Sequence, residues 1–264
     1  MDAAVKLFWQ PGCTSCLRTK EFLVRKGVRF QSVNVHDDEA GREELLRLGA
    51  RSVPVVAKGE RFVFAQVLDD VAKFLGIDFH SERLPPAVLV ERLEAILASA
   101  EEAVRALPEA ALERTLPGRS RSYRALGYHV FRIPEAFLDA LDEGATLLAE
   151  RVNALPPDEI RTGDDIARYG AAVRARLARW WASGPDPTRP VETYYGSKPL
   201  HLVLERTAWH SAQHTRQLEM VLGMLGVPVP RQLEMVLGML GVPVPRPLAP
   251  ELLQGLPVPE DVWG

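Results

Sequence analysis

Cysteine is nearly absent from this sequence: Cys13 and Cys16 are the only two in 264 residues. A secreted scaffold stapled by disulfides carries more than that, and with no second cysteine pair a four-thiolate zinc site cannot be completed. An excess of charge of one sign is missing as well. The 32 Lys and Arg against 35 Asp and Glu leave a net charge of −3, which offers no basic face for nucleic acid. No apolar run reaches the roughly 18 to 20 residues that a membrane span needs. The first residues lack the charged start, apolar middle and small-residue cleavage site of a signal peptide. The expected address is the cytoplasm, with neither nucleic acid nor membrane as partner, and the length suits one or two domains.

What is present falls into two halves of different periodicity. Val5 to Trp9 is a short apolar run of strand type, and Thr14 to Lys26 has helical spacing with Leu17, Phe22 and Leu23 on its apolar face. Val28 to Val35 alternates as a strand, and Asp38 to Gly49 reads as a helix that turns Leu45, Leu46 and Leu48 inward. Val53 to Ala57 is a further apolar strand, Gly59 turns the chain into Arg61 to Phe64, and Val67 to Leu75 is a helix stopped by Gly76. The order is β-α-β-α-β-β-α over residues 1–78. Residues 79–86, with Pro85 and Pro86 as breaker, read as a linker. Beyond them no strand pattern is visible. Four helices are expected over 87–226: Ala87 to Leu107, Arg121 to Leu141, Asp164 to Trp181 and Lys198 to Leu225. Pro134 should kink or divide the second, because proline removes a hydrogen bond and clashes with the preceding turn.

Cys13-Thr14-Ser15-Cys16 lies where the first strand gives way to the first helix. Two cysteines at this spacing are a redox pair or half of a metal site. A helix N-terminus presents unpaired N–H groups and the positive end of the dipole, which favour thiolate over thiol at Cys13. Cys13 is then the nucleophile, and Cys16, one turn on, resolves the mixed disulfide. Two buried structural thiols are the alternative. Ser52-Val53-Pro54 opens an apolar strand with proline, which is odd for a central strand. Together, Trp9-Gln10-Pro11-Gly12-Cys13-Thr14-Ser15-Cys16, Ser52-Val53-Pro54 and the element order resemble the glutaredoxins and the NrdH-type redoxins. The resemblance implies a thioredoxin-like fold of four strands and three helices, with a cis proline at Pro54 and substrate binding at Ser52, Val53 and Pro54. It does not carry glutathione over, because Ala65-Gln66-Val67 stands where that family places a Gly-Gly pair.

Among six histidines, His210 and His214 are spaced i and i+4 on the fourth helix, so they share one face. Alone this is a weak signal, and the glutamate of the metalloprotease pattern is missing. The stretch His210-Ser-Ala-Gln-His214-Thr-Arg-Gln-Leu218 resembles the last-helix motif of DinB-like (DinB/YfiT) proteins, and Tyr128-His129-Val130-Phe131 matches the histidine of their second helix. That resemblance implies a four-helix bundle holding a divalent metal on His129, His210 and His214, with zinc or nickel the best match to three imidazoles. Three core or surface histidines without metal is the alternative. Glu205 is either a partner behind the site or, the preferred reading, solvated. His36, His80 and His201 are placed on the surface or in the linker. Tyr128, Phe131 and Trp209 either line a pocket or pack in the core, while Trp180, Trp181, Tyr194 and Tyr195 are unassigned.

The expected fold class is therefore multidomain, an α/β thioredoxin-like domain followed by an all-α four-helix bundle. Residues 227–264 form a C-terminal extension with a tandem duplication, in which Arg216 to Pro230 is repeated identically by Arg231 to Pro245. The spare copy is a tolerated insertion or a helix that covers a second subunit in a homodimer. The functional expectation is a thiol–disulfide oxidoreductase coupled to a metal-dependent, DinB-like S-transferase of a low-molecular-weight thiol. Its partners would be small thiols or disulfides and a protein disulfide. The alternative gives catalysis to the redoxin alone, with the helical part sensing metal or binding a partner.

Overall fold

The computed structural model describes residues 3–116, 120–227, 253–254, 256 and 258–259. Two compact units are divided between Arg83 and Leu84. The second copy of the duplication, together with most of the expected C-terminal extension, lies outside the described residues.

In the first unit, β1 (Val5–Trp9), α1 (Thr14–Arg25), β2 (Phe30–Asn34), α2 (Glu39–Arg47), β3 (Val55–Lys58), β4 (Arg61–Phe64) and α3 (Leu68–Leu75) follow in the expected order. The sheet order is β2-β1-β3-β4. β1 is parallel to β2 and antiparallel to β3, and β4 is antiparallel to β3. Strand pleating sends neighbouring residues to opposite faces. Leu7 and Val56 therefore join Phe22 and Leu23 of α1 and Val71 of α3 in one core. Phe8, Val55 and Ala57 join Val33 and Leu45 of α2 in another. Burial on both faces explains why β1 and β3 read as continuous apolar runs. Of the three expected leucines, Leu45 of α2 is buried and Leu48, just past its end, packs partly buried against the same core, whereas Leu46 is 53% exposed. A nine-residue helix covering a sheet has room for a narrow stripe, and Leu46 sits outside it.

The second unit is rich in helix. Its long helices are α4 (Pro86–Ala106), α5 (Tyr123–Glu143), α7 (Gly163–Ala182) and α8 (Leu200–Met224), with a short α6 (Ala149–Val152) between α5 and α7. α8 packs against α4 and α5, and α7 packs against the same two. No described helix is long and apolar enough to cross a membrane. The unit is not purely helical: β5 (Pro190–Val191) and β6 (Lys198–Pro199) form a two-stranded sheet that closes the turn into α8. Strands of two residues are too short to leave a periodic trace.

Pro134 does not divide α5, which runs unbroken from Tyr123 to Glu143. Proline at 134 cannot donate to the carbonyl four residues back, Val130. The Ser211 hydroxyl of α8 donates to that same oxygen at 3.1 Å. The carbonyl that proline deprives of its helical donor thus becomes an interhelical tie, at the residues following His129 and His210.

Candidate functional site

Cys13 is the N-cap of α1, and its Sγ accepts the Cys16 backbone N–H at 3.1 Å. The two cysteines are joined as a disulfide, with Cα atoms 5.2 Å apart. Cys13 is half-buried, whereas Cys16 is 2% exposed. Cys13 is thus the more exposed of the pair. Gly12, at φ +81°, supplies the left-handed turn that feeds β1 into the helix, a conformation that costs glycine little. The Val53–Pro54 peptide is cis. The Pro54 carbonyl accepts the Ala65 N–H at 3.0 Å, and the Val53 carbonyl accepts from Gln66 Nε2 at 3.4 Å. Ser52 and Val53 are half-buried beside it. Arg18, which no sequence motif marks, is 3% exposed and donates through Nη2 to the Gln66 carbonyl at 2.5 Å. A buried arginine four residues into a helix that begins at a cysteine leaves no periodic signature.

In the second unit, His129 of α5 meets His210 and His214 of α8. The ring centroids lie 5.4 Å (His129–His210), 4.7 Å (His129–His214) and 4.9 Å (His210–His214) apart. One nitrogen from each ring lies within 4.8 Å of the others. Ligands of a single zinc at 2.0–2.1 Å would stand about 3.3 Å apart in a tetrahedral set, so small ring rotations close the gap. His129 and His214 are 3% and 2% exposed and His210 is 8%, which leaves His210 the most open of the three. Burial, the neighbouring imidazoles and the positive charges of Arg206 and Arg121 hold His129 and His210 well below the ordinary histidine pKa. They are neutral at neutral pH, the form that ligates a metal. His214 Nδ1 lies 2.8 Å from Gln217 Oε1. An amide oxygen is an acceptor, so Nδ1 carries the proton and Nε2 is left for a cation. Donor chemistry, burial and tautomer all fit a divalent ion.

Of the residues around the triad, the aromatic ones follow the core alternative. Phe131, Trp209 and Tyr128 are 0%, 1% and 7% exposed and pack in the core, Tyr128 stacking on Tyr169 at 4.8 Å. Glu205, expected in solvent, is buried. His36 and His80 are exposed. His201 is half-buried in the first turn of α8, with Nδ1 3.1 Å from the Pro187 carbonyl. The unassigned Trp180 packs edge-on to Phe137 at 5.3 Å, and Trp181 lies beside it at 6.0 Å. Tyr194 and Tyr195 border a cleft with His210, Arg206, Thr207 and Val152. A bridge between Leu147 and Thr193 sets their position. Their signal was invisible because the loop that carries them has no period.

Residues 5–63 match the family model described as Glutaredoxin. Over 53 residues the chain is 43% identical to an uncharacterized glutaredoxin-like 8.6 kDa protein in the rubredoxin operon of Clostridium pasteurianum. That alignment covers 20% of this chain and 71% of the relative.

Proposed function

Through its N-terminal unit the chain belongs to the glutaredoxin family, and from that premise we propose that it is a thiol–disulfide oxidoreductase whose helical unit holds a divalent cation and acts on a low-molecular-weight thiol. The observation that carries the redox half is Cys13 at the helix N-cap, half-exposed, with Sγ bonded to the Cys16 N–H. In the reduced protein that N–H and the helix dipole stabilise the thiolate. The Cys13 thiolate attacks one sulfur of a substrate disulfide, forming a mixed disulfide and expelling the other half as thiolate. Cys16, deprotonated, then attacks Cys13 Sγ, releases the second half and leaves the Cys13–Cys16 disulfide seen here. Two equivalents of an external thiol return the two electrons and close the cycle. Ser52, Val53 and Pro54 are proposed to seat the substrate beside the dithiol.

The helical unit we read as a DinB-like four-helix bundle, supported by its four long helices and by the meeting of His129, His210 and His214. A cation on these three imidazoles, zinc or nickel by ligand chemistry, would supply a Lewis acid that lowers the pKa of a bound thiol or water. The protein's own part is to keep the imidazoles neutral by burial, to fix the His214 tautomer through Gln217, and to hold α5 against α8 through Ser211 and Val130.

Two measurements test the reading. Cys13→Ser should abolish reduction of a small disulfide, and Cys16→Ser should accumulate a mixed disulfide visible by intact mass; full turnover in Cys13→Ser would refute the redox assignment. Elemental analysis of the purified protein should find about one zinc or nickel per chain, lost in His129→Ala. A metal-free wild type after zinc and nickel loading would refute the second half alone.

A further inference from the structure

We propose that Gln66 is a specificity-determining residue of the dithiol site: its side chain supplies the hydrogen bond to the Val53 carbonyl that an incoming peptide would otherwise supply, so the site favours low-molecular-weight disulfides over extended peptide disulfides. The proposal rests on the reading of Ser52, Val53 and Pro54 as the substrate seat and deepens it by naming a substrate class.

The sheet register puts the seat and the dithiol at one end of the first unit. Phe8 of β1 lies opposite Val55 of β3, so the chain leaves β1 toward Cys13 at the end where it enters β3 through Val53 and Pro54. On its other side, Val55 is paired with Phe64 of β4. That ladder continues one step beyond the strands, where the Pro54 carbonyl accepts the Ala65 N–H at 3.0 Å. Gln66 comes next, and its Nε2 donates to the Val53 carbonyl at 3.4 Å. The same two residues are fastened to the helix that carries the cysteines. Thr19 Oγ1 lies 3.2 Å from the Ala65 carbonyl, and Arg18 Nη2 donates to the Gln66 carbonyl at 2.5 Å. Gln66 thus joins α1 through its backbone to Val53 through its side chain.

That side chain is more than a filler. Gln66 is 1% exposed, and its Oε1 has no hydrogen-bond partner among the described residues. A buried acceptor without a donor destabilises the fold, and an apolar residue of similar length would avoid that loss. What the amide contributes is its donor. Turned the other way it would set two oxygens face to face, so Nε2 is the end on Val53. Val53 itself is half-buried, and its N–H meets no acceptor among the described residues. The residue before a proline is pushed toward extended backbone. An extended residue pairs with a neighbouring chain by exchanging two bonds, one through its N–H and one through its carbonyl. Gln66 already supplies the donor for the second. A peptide laid along Val53 must displace the amide or share the carbonyl with it, and gains less than a full hydrogen bond. A small disulfide that only accepts from the Val53 N–H meets no such competitor.

The test uses the full chain, reduced and freed of reductant, with two blocked disulfides. Diacetyl-cystine bis(methylamide) carries peptide N–H donors on both sides of each sulfur-bearing residue. Its fully N-methylated analogue keeps every carbonyl and has no donor. Each turnover moves two electrons from protein to probe: the Cys13–Cys16 disulfide forms and two probe thiols are released, read by acid quench, alkylation and intact mass. The quantity is the ratio of the two second-order rate constants, donor-bearing over donor-free. In Gln66→Met, which fills the space and donates nothing, this ratio should rise about three- to fivefold above its wild-type value, the worth of one neutral hydrogen bond. Gln66→Ala, which removes the amide without adding bulk, should raise it as well. Damage to the dithiol slows both probes together and leaves the ratio where it was. A ratio that stays at its wild-type value in both variants, or falls, overturns the role of Gln66 while thiol–disulfide exchange stands. A wild-type protein that reduces neither probe overturns the exchange reading itself.

Discussion

Ser211→Ala removes one hydroxyl, and its cost follows from a single carbonyl. Val130 O has no helical donor, because residue 134 is proline, and Ser211 Oγ is bonded to it at 3.1 Å. Ser211 and Val130 are both 0% exposed, so no water readily replaces the hydroxyl. A buried carbonyl left without its donor costs about 1–3 kcal/mol, and the second unit should lose that much unfolding free energy. The reasoning is checked by a double-mutant cycle. In a Pro134→Ala background the backbone N–H of residue 134 can reach Val130 O, and Ser211→Ala should then cost only a few tenths of a kcal/mol, a coupling of about 1 kcal/mol or more. The assay is urea unfolding followed by far-ultraviolet circular dichroism, which the helices of the second unit dominate. Equal costs in both backgrounds would show that the hydroxyl does not substitute for the missing proline donor. The same variant should weaken metal retention, since the tie lies next to His129 on one helix and His210 on the other.

The histidines give a pH dependence. His129 and His210 sit below their ordinary value in the folded protein, so as pH falls the unfolded chain takes up protons first. Their contribution is fully present above the ordinary histidine pKa of 6.5 and is lost as pH drops toward the folded value. Metal-free protein should therefore lose midpoint stability between about pH 7 and pH 5.5, and a flat or rising midpoint over that range would contradict burial as the cause. Gly170→Ala should destabilise by about 1–3 kcal/mol through overpacking. A Cβ there would meet the Phe131 ring at 2.6–2.8 Å, and Phe131 is fully buried, so a melt unchanged from wild type would count against this packing. Gly127→Ala should cost less, because its Cβ meets the end of the Val104 side chain at 2.8 Å rather than a ring; the larger loss belonging to Gly127 would reverse that ranking.

Most of the first unit was legible in the amino-acid order, and the reason is locality. Phe22 and Leu23 lie on one turn of a helix, Leu7 and Phe8 on opposite faces of a strand, and Cys13 and Cys16 three residues apart at a helix start, so their positions are set by neighbours in the chain. The pairing of His210 with His214 was legible for the same cause, since four residues of helix return to one face. Leu46 escaped because helical spacing tells which residues share a face but not how wide the covered stripe is.

What tertiary structure alone decided is which distant groups meet. The sequence places His129 on a helix, but only the packing of α5 on α8 turns its ring toward His210 and His214, more than eighty residues away. Ser211 acquires its meaning from a proline on another helix, and the Tyr194 hydroxyl finds its donor in Arg206. Glu205 looked solvated by residue type and is buried by position. Periodicity records an element's own faces; contact between elements depends on the shape of both partners, and that information is spread over every side chain between them.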